Sequence, residues 1–182
     1  NDFSDLGIFK SNTNINNELL TLKSPTLMTE VVNRLGLNET FTIRKGLKNV
    51  DLYKVSPVTI TFCDKIEVPL SFTIKFSSKE AFAISELEIS GEDIGETLSA
   101  QMGDSIQTSA GIMIVSPTQE FTDAFIGTSI RYVRGSVRAA VDTYSNALVA
   151  ALGNEDATII NLSINDTSIR KAEDILNTLI EG

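Results

Sequence analysis

The sequence predicts an α+β protein, because apolar residues recur at helical spacing near both ends and at every second position through the middle. Turn residues separate the two regimes. The helical period governs Asn14 to Leu37 and returns from Ser136 onward, while period two holds from about Val50 to Tyr132. The expected layout is a tether over residues 1–13, a discontinuous α/β base domain over 14–49 and 133–182, and a β-rich insert over 50–132.

The first helical stretch has a start, a seam and an end. Ile15, Leu19 and Leu22 fall on one face; Ser24 is placed to cap and Pro25 sits at the first helical position, where its missing N–H is harmless. Leu27, Met28, Val31 and Leu35 continue the apolar stripe. Gly36 suits a left-handed stop, with Leu37 folding back onto Val32 as in a Schellman motif.

Phe41 to Arg44 alternates as a short strand and Lys45-Gly46 turns the chain. Within the insert, Val58, Ile60 and Phe62 alternate with threonines, and Leu70, Phe72, Ile74 and Phe76 alternate with Ser71, Thr73 and Lys75. Phe82/Ile84 and Leu87/Ile89 lie on opposite phases, which predicts a bulge near Ser85-Glu86. Further strands are expected near Gly95 to Ala100, Ile112 to Val115 and Ile126 to Tyr132. Short strands at this spacing predict a small sandwich or barrel.

Val137, Ala140, Val141, Tyr144, Leu148 and Ala151 then form one helical face that Gly153 ends. Thr158 to Ile164 reads as a strand, and a last helix carries Ile169, Ala172, Ile175, Leu176, Leu179 and Ile180 on its stripe. The chain lacks an initiator Met and stops on a helix still running. It is therefore expected to be a segment of a longer protein.

Two stretches carry a family resemblance. Residues 15–37, INNELLTLKSPTLMTEVVNRLGL, followed by a strand, resemble the first helix of Wzz-type polysaccharide chain-length determinants and of the related capsule and exopolysaccharide tyrosine autokinases. Residues 157–181, including the Ala-Glu-Asp-Ile-Leu-Asn run at 172–177, are similar to that family's closing strand and helix, although Ile169 stands where the family often has Pro. The resemblance implies a Wzz-like α/β base, with helices packed on a small mixed sheet, carrying a jelly-roll-like insertion. That insertion resembles the autokinase branch more than the plain regulators.

The same resemblance implies a non-catalytic periplasmic segment of an inner-membrane co-polymerase that regulates the chain length or export of capsular or exopolysaccharide. Its implied partners are further copies of the same chain, the polysaccharide polymerase, the outer-membrane export machinery and polysaccharide itself. ATP and Mg²⁺ would belong to a separate cytoplasmic kinase domain, and no cofactor is expected in this segment. An envelope carbohydrate-binding or adaptor module is the alternative, against which stand the absence of Trp and only 3 Tyr.

Composition narrows the chemistry. With 15 Lys and Arg against 24 Asp and Glu the net charge is −9, which argues against a nucleic-acid surface. No run approaches the roughly 18 apolar residues of a membrane span. Cys63 is alone, so no internal disulfide forms, and a small buried hydrophobe is its expected role. With no His, triads and His-ligated zinc are excluded. There is no phosphate loop. Glu92, Asp93 and Glu96 match no Ca²⁺ loop and read as a solvated turn, as does Glu155-Asp156. Tyr53, Tyr132 and Tyr144 are dispersed in strand or core-face patterns and form no phosphorylation cluster.

One cluster stands out. Arg131, Arg134 and Arg138 bracket the start of the Ser136 helix, where positive charge opposes the helix dipole. An anion or an acidic partner would account for it, and pairing with local carboxylates is the competing reading. The first reading predicts that Arg134→Glu with Arg138→Glu alters assembly or polymer length and leaves the fold intact.

Overall fold

The computed structural model describes residues 24–152 and 169–181. The chain divides into two compact units, residues 1–37 with 137–182 and residues 38–136. In order, the described elements are α1 (Pro25–Leu35), β1 (Glu39–Lys45), β2 (Lys48–Asp51), β3 (Val58–Phe62), β4 (Leu70–Phe76), β5 (Ala81–Ile89), β6 (Glu92–Asp93), β7 (Leu98–Gln101), β8 (Ser105–Thr108), β9 (Gly111–Pro117), β10 (Ser129–Arg134), α2 (Val137–Leu152) and α3 (Ile169–Glu181).

In the helical unit, α1 starts and stops where its residues dictate. Ser24 Oγ accepts from Leu27 N at 3.5 Å, and Gly36 adopts φ 64°. The Leu37 amide returns to the Val32 carbonyl at 3.0 Å, the six-to-one bond of a Schellman stop. The buried face is Met28, Val31 and Val32, with Leu27 and Leu35 at its margins. That is a rotation of the expected stripe. α1 packs against α2, through whose face Ala140, Val141 and Leu148 are buried, and against α3, which buries Ala172, Ile175 and Leu179. Ile180 is exposed, contrary to its place on the expected stripe. Residues 1–23, including the helix start expected at Asn14, lie outside the described residues, as do Glu155-Asp156 and the strand expected at 158–164.

Among the described residues, the strands form two sheets ordered β2-β1-β10-β4-β5-β6, with β7 also on β5, and β3-β9-β8. Every ladder is antiparallel. The sheets meet in one core. Ile43, Leu70, Phe72, Ile74, Phe76, Phe82, Ile84, Leu87, Ile130 and Tyr132 of the larger sheet join Val58, Ile60, Ile106, Met113 and Val115 of the smaller. Alternation made this possible, since these positions recur two residues apart along their strands, except at the β5 bulge, which brings Leu87 into the core three residues after Ile84. Phe76 lies 5.5 Å from Phe82 and 5.1 Å from Phe121, ring centre to ring centre.

The expected Wzz-like base, with helices on a small mixed sheet, is therefore corrected. The fold is mostly strand, the sheets are antiparallel, and no described strand belongs to the helical unit. The reason is register: β1, expected to serve the base, pairs with β10 on one side and β2 on the other, and its Ile43 enters the sandwich core. The helices instead bury their stripes on one another.

The sandwich is closed where the chain enters and leaves it. Gly135 N donates to Asn38 O at 2.8 Å, and Asn38 Nδ2 donates to Gly135 O at 3.2 Å. The bulge expected at Ser85-Glu86 is present. The β4–β5 register shifts between Ser71 and Thr73, and Glu86 takes φ 52°.

Candidate functional site

β10 carries the arginines in alternation with the core. Ile130 and Tyr132 point inward at 0% exposure, so Arg131 falls on the opposite face of the sheet. There its guanidinium donates from Nη2 to Ser71 Oγ at 2.8 Å and from Nη1 to Thr73 Oγ1 at 3.3 Å and to the Glu86 carbonyl at 3.2 Å. The carboxylates of Glu86 and Glu88 lie 4.0 and 3.8 Å away. Arg131 thus clips the bulge: it holds the carbonyl of a non-glycine residue in the left-handed region.

Arg134 ends the same strand on the core side. Registers place it opposite Glu39 of β1, and its Nη1 lies 3.4 Å from Glu39 Oε1. Tyr132 Oη donates to that same oxygen at 3.2 Å. The Tyr132 ring sits between Phe41 at 4.9 Å and Phe72 at 5.0 Å, while the Arg134 guanidinium carbon lies 5.1 Å from the centre of Phe62. Burial raises the Glu39 carboxyl above its ordinary value, and the Arg134 charge and the Tyr132 hydrogen bond pull it back down. Tyr132 is held well above the usual phenol range, first by burial and then by the neighbouring Glu39 charge. Arg134 Nε is buried without a hydrogen-bond partner.

Arg138 is exposed on the first turn of α2 and belongs to the other unit. The structure therefore gives Arg131 and Arg134 partners within the sandwich, and these are carboxylates, hydroxyls and the Glu86 carbonyl. A hollow of about 310 Å³ beside Arg134 is lined also by Ser71, Glu88 and Val133, so an incoming anion would meet a carboxylate there.

The acidic residues Glu92, Asp93 and Glu96 are exposed on the β6 hairpin, where Asp93 Oδ1 accepts the Gly95 amide at 2.8 Å. Among the described residues no three acidic, His or Cys side chains converge as a metal site. Cys63 is exposed rather than buried. It falls one residue past β3 on the outward phase of Thr59 and Thr61, and its amide donates to Ile112 O at 2.9 Å. A larger cleft of about 800 Å³ runs along β4, β5 and β7, lined by Lys75, Ser77, Ala83, Ser99, Gln101 and Asp104 among others. Sequence reasoning missed this cleft and the Glu39–Tyr132–Arg134 group. Period two alone would have put Tyr132 and Arg134 on one face, but Glu39 joins them only through the β1–β10 register.

No family model and no curated protein matches the chain. Two crystal structures of Xanthomonas campestris FlgL align with 80% of it at 15% and 14% identity, with TM-scores of 0.19 and 0.21. The chain spans about half the length of those structures, 50% and 48%. At those scores the likeness carries no argument about fold or function. No described helix is long and apolar enough to cross a membrane.

Proposed function

We propose that this chain is a non-catalytic periplasmic segment of an inner-membrane polysaccharide co-polymerase, regulating the length or export of capsular or exopolysaccharide. The observation that carries the reading is the capped helix Ser24 to Leu37, whose residues resemble the opening helix of chain-length determinants from cap to stop. The Ala172 to Asn177 run in α3 supports it from the other end. The parent is read as a tyrosine autokinase whose nucleotide site lies in a separate domain, and it assembles as a homo-oligomer next to the polymerase and export machinery.

The test is the length distribution of surface polysaccharide on a gel, with the parent gene deleted and restored. Loss of polymer or of its modal length, recovered on restoration, is the expected result. An unchanged distribution would contradict the reading. It would favour the alternative of a carbohydrate-binding envelope module, for which the Lys75 to Asp104 cleft supplies hydrogen-bonding groups.

A further inference from the structure

β1 and β2 are joined by the two-residue loop Gly46-Leu47, with Lys45 and Lys48 directly opposite each other. Gly46 has φ 63°, the left-handed torsion a type II′ turn requires at its first central position, and Leu47 takes the second. The geometry leaves a leucine on the apex at 93% exposure, more than any other large apolar side chain among the described residues.

Cations surround it. Arg44, Lys45 and Lys48 are all exposed, and among the described residues none of them pairs with a carboxylate. Arg44 Nε donates to the Gly46 carbonyl at 3.2 Å and so curls over the loop. Like charges directly opposite across an antiparallel pair destabilise a hairpin, and a leucine in water contributes no packing. Neither feature serves the fold. The tip also opposes the sign of the molecule, since these three cations come from a chain of 15 Lys and Arg against 24 Asp and Glu.

We propose that this hairpin tip docks on an anionic lipid surface, with Leu47 entering the interfacial layer and Arg44, Lys45 and Lys48 meeting lipid phosphates. One convex apolar side chain with polar neighbours offers far less than the roughly 800 Å² per partner of a stable protein interface. A bilayer needs no matching pocket: it takes up a protruding apolar group while basic side chains stay at headgroup level. The chain's net −9 does not prevent this, because at physiological salt charges beyond about 8 Å are screened and only the tip makes contact. The inference stands apart from the polymer-length reading, and either can fail without the other.

The chain contains no Trp, so Leu47→Trp places the sole indole at the apex. Its emission is followed on adding vesicles of phosphatidylcholine alone, or of phosphatidylcholine with phosphatidylglycerol, and flotation of the unsubstituted chain with the same vesicles runs alongside. The expected result is a blue shift and shielding from aqueous iodide with the anionic vesicles only, with co-flotation. K45E/K48E should weaken vesicle binding about tenfold or more, since each cation near an anionic surface contributes roughly fivefold. Emission and flotation unchanged by anionic vesicles would overturn the proposal, and so would an equal shift with phosphatidylcholine alone. A shift that grows with protein concentration without lipid would overturn it in favour of a second copy of the chain.

Discussion

Tyr132 Oη donates to Glu39 Oε1 at 3.2 Å across the β1–β10 pair, and Arg134 reaches the same oxygen at 3.4 Å. One carboxylate oxygen thus satisfies a phenol and a guanidinium at the end of the sandwich core. Tyr132→Phe keeps the ring contacts and removes the hydroxyl, leaving Glu39 with one partner fewer, and should cost about 1–3 kcal/mol by urea unfolding. Arg134→Glu sets a second carboxylate beside Glu39. It should cost at least as much, where the sequence alone led us to expect an intact fold. Arg138→Glu, exposed on α2, should leave the unfolding midpoint within about 0.5 kcal/mol.

Glu39 adds a pH dependence whose sign is fixed. Its carboxyl is raised in the folded state, chiefly by burial, so the fold binds that proton more tightly than the unfolded chain does. Its contribution to stability is full below the unfolded carboxylate pKa and is lost as pH rises through the folded one. Glu39→Gln has no such proton. Denaturant midpoints from about pH 4 to 7 should therefore shift in favour of Glu39→Gln relative to the parent as pH rises. A difference that stays flat, or moves the other way, would mean that the Arg134 and Tyr132 contacts outweigh burial.

Glu86 sits in the left-handed region with its carbonyl held by Arg131. Glycine meets no steric cost there, and a β-branched residue meets a large one. Glu86→Gly should unfold no earlier than the parent, while Glu86→Val should lose about 1–2 kcal/mol. Arg131→Gln removes several charge-assisted bonds and should lose about 1–3 kcal/mol.

In the helical unit, Met28 is 1% exposed and Ile180 is 75% exposed. Met28→Ala should cost about 2–5 kcal/mol through the cavity it leaves, and Ile180→Ser should be nearly silent. Leu27 and Leu35, at the margins of the buried face, should cost clearly less than Met28 when cut to alanine.

Exposure of Cys63 makes a chemical prediction. The native protein should react with an aromatic disulfide reagent to release one thiolate equivalent without denaturant. Reaction only after unfolding would place the thiol inside.

Local rules made much of this fold legible. Ser24, Pro25 and Gly36 bounded α1, the phase change between Ile84 and Leu87 located the bulge, and strict alternation marked β3 and β4. What sequence did not show was partnership across long separations. Nothing in Phe41 or Ile43 says that they pair with Tyr132 and Ile130, and that pairing moves β1 from the expected base into the sandwich. The arginines failed for the same reason, since Ser71, Glu86 and Glu39 reach them only through the sheet registers. Lys45-Gly46 marks a turn in the sequence, but Leu47 reaches its apex only through the Lys45–Lys48 register.

The central structural claim is that residues 38–136 form a self-contained sandwich inserted between the helical segments. They have their own core, and Asn38 and Gly135 are joined by two hydrogen bonds where the chain enters and leaves. The most direct measurement is the folding of that segment expressed alone. The account predicts dispersed amide resonances and a single cooperative urea transition. A collapsed amide spectrum with no transition would contradict it and would mean that the sandwich depends on the helices to fold.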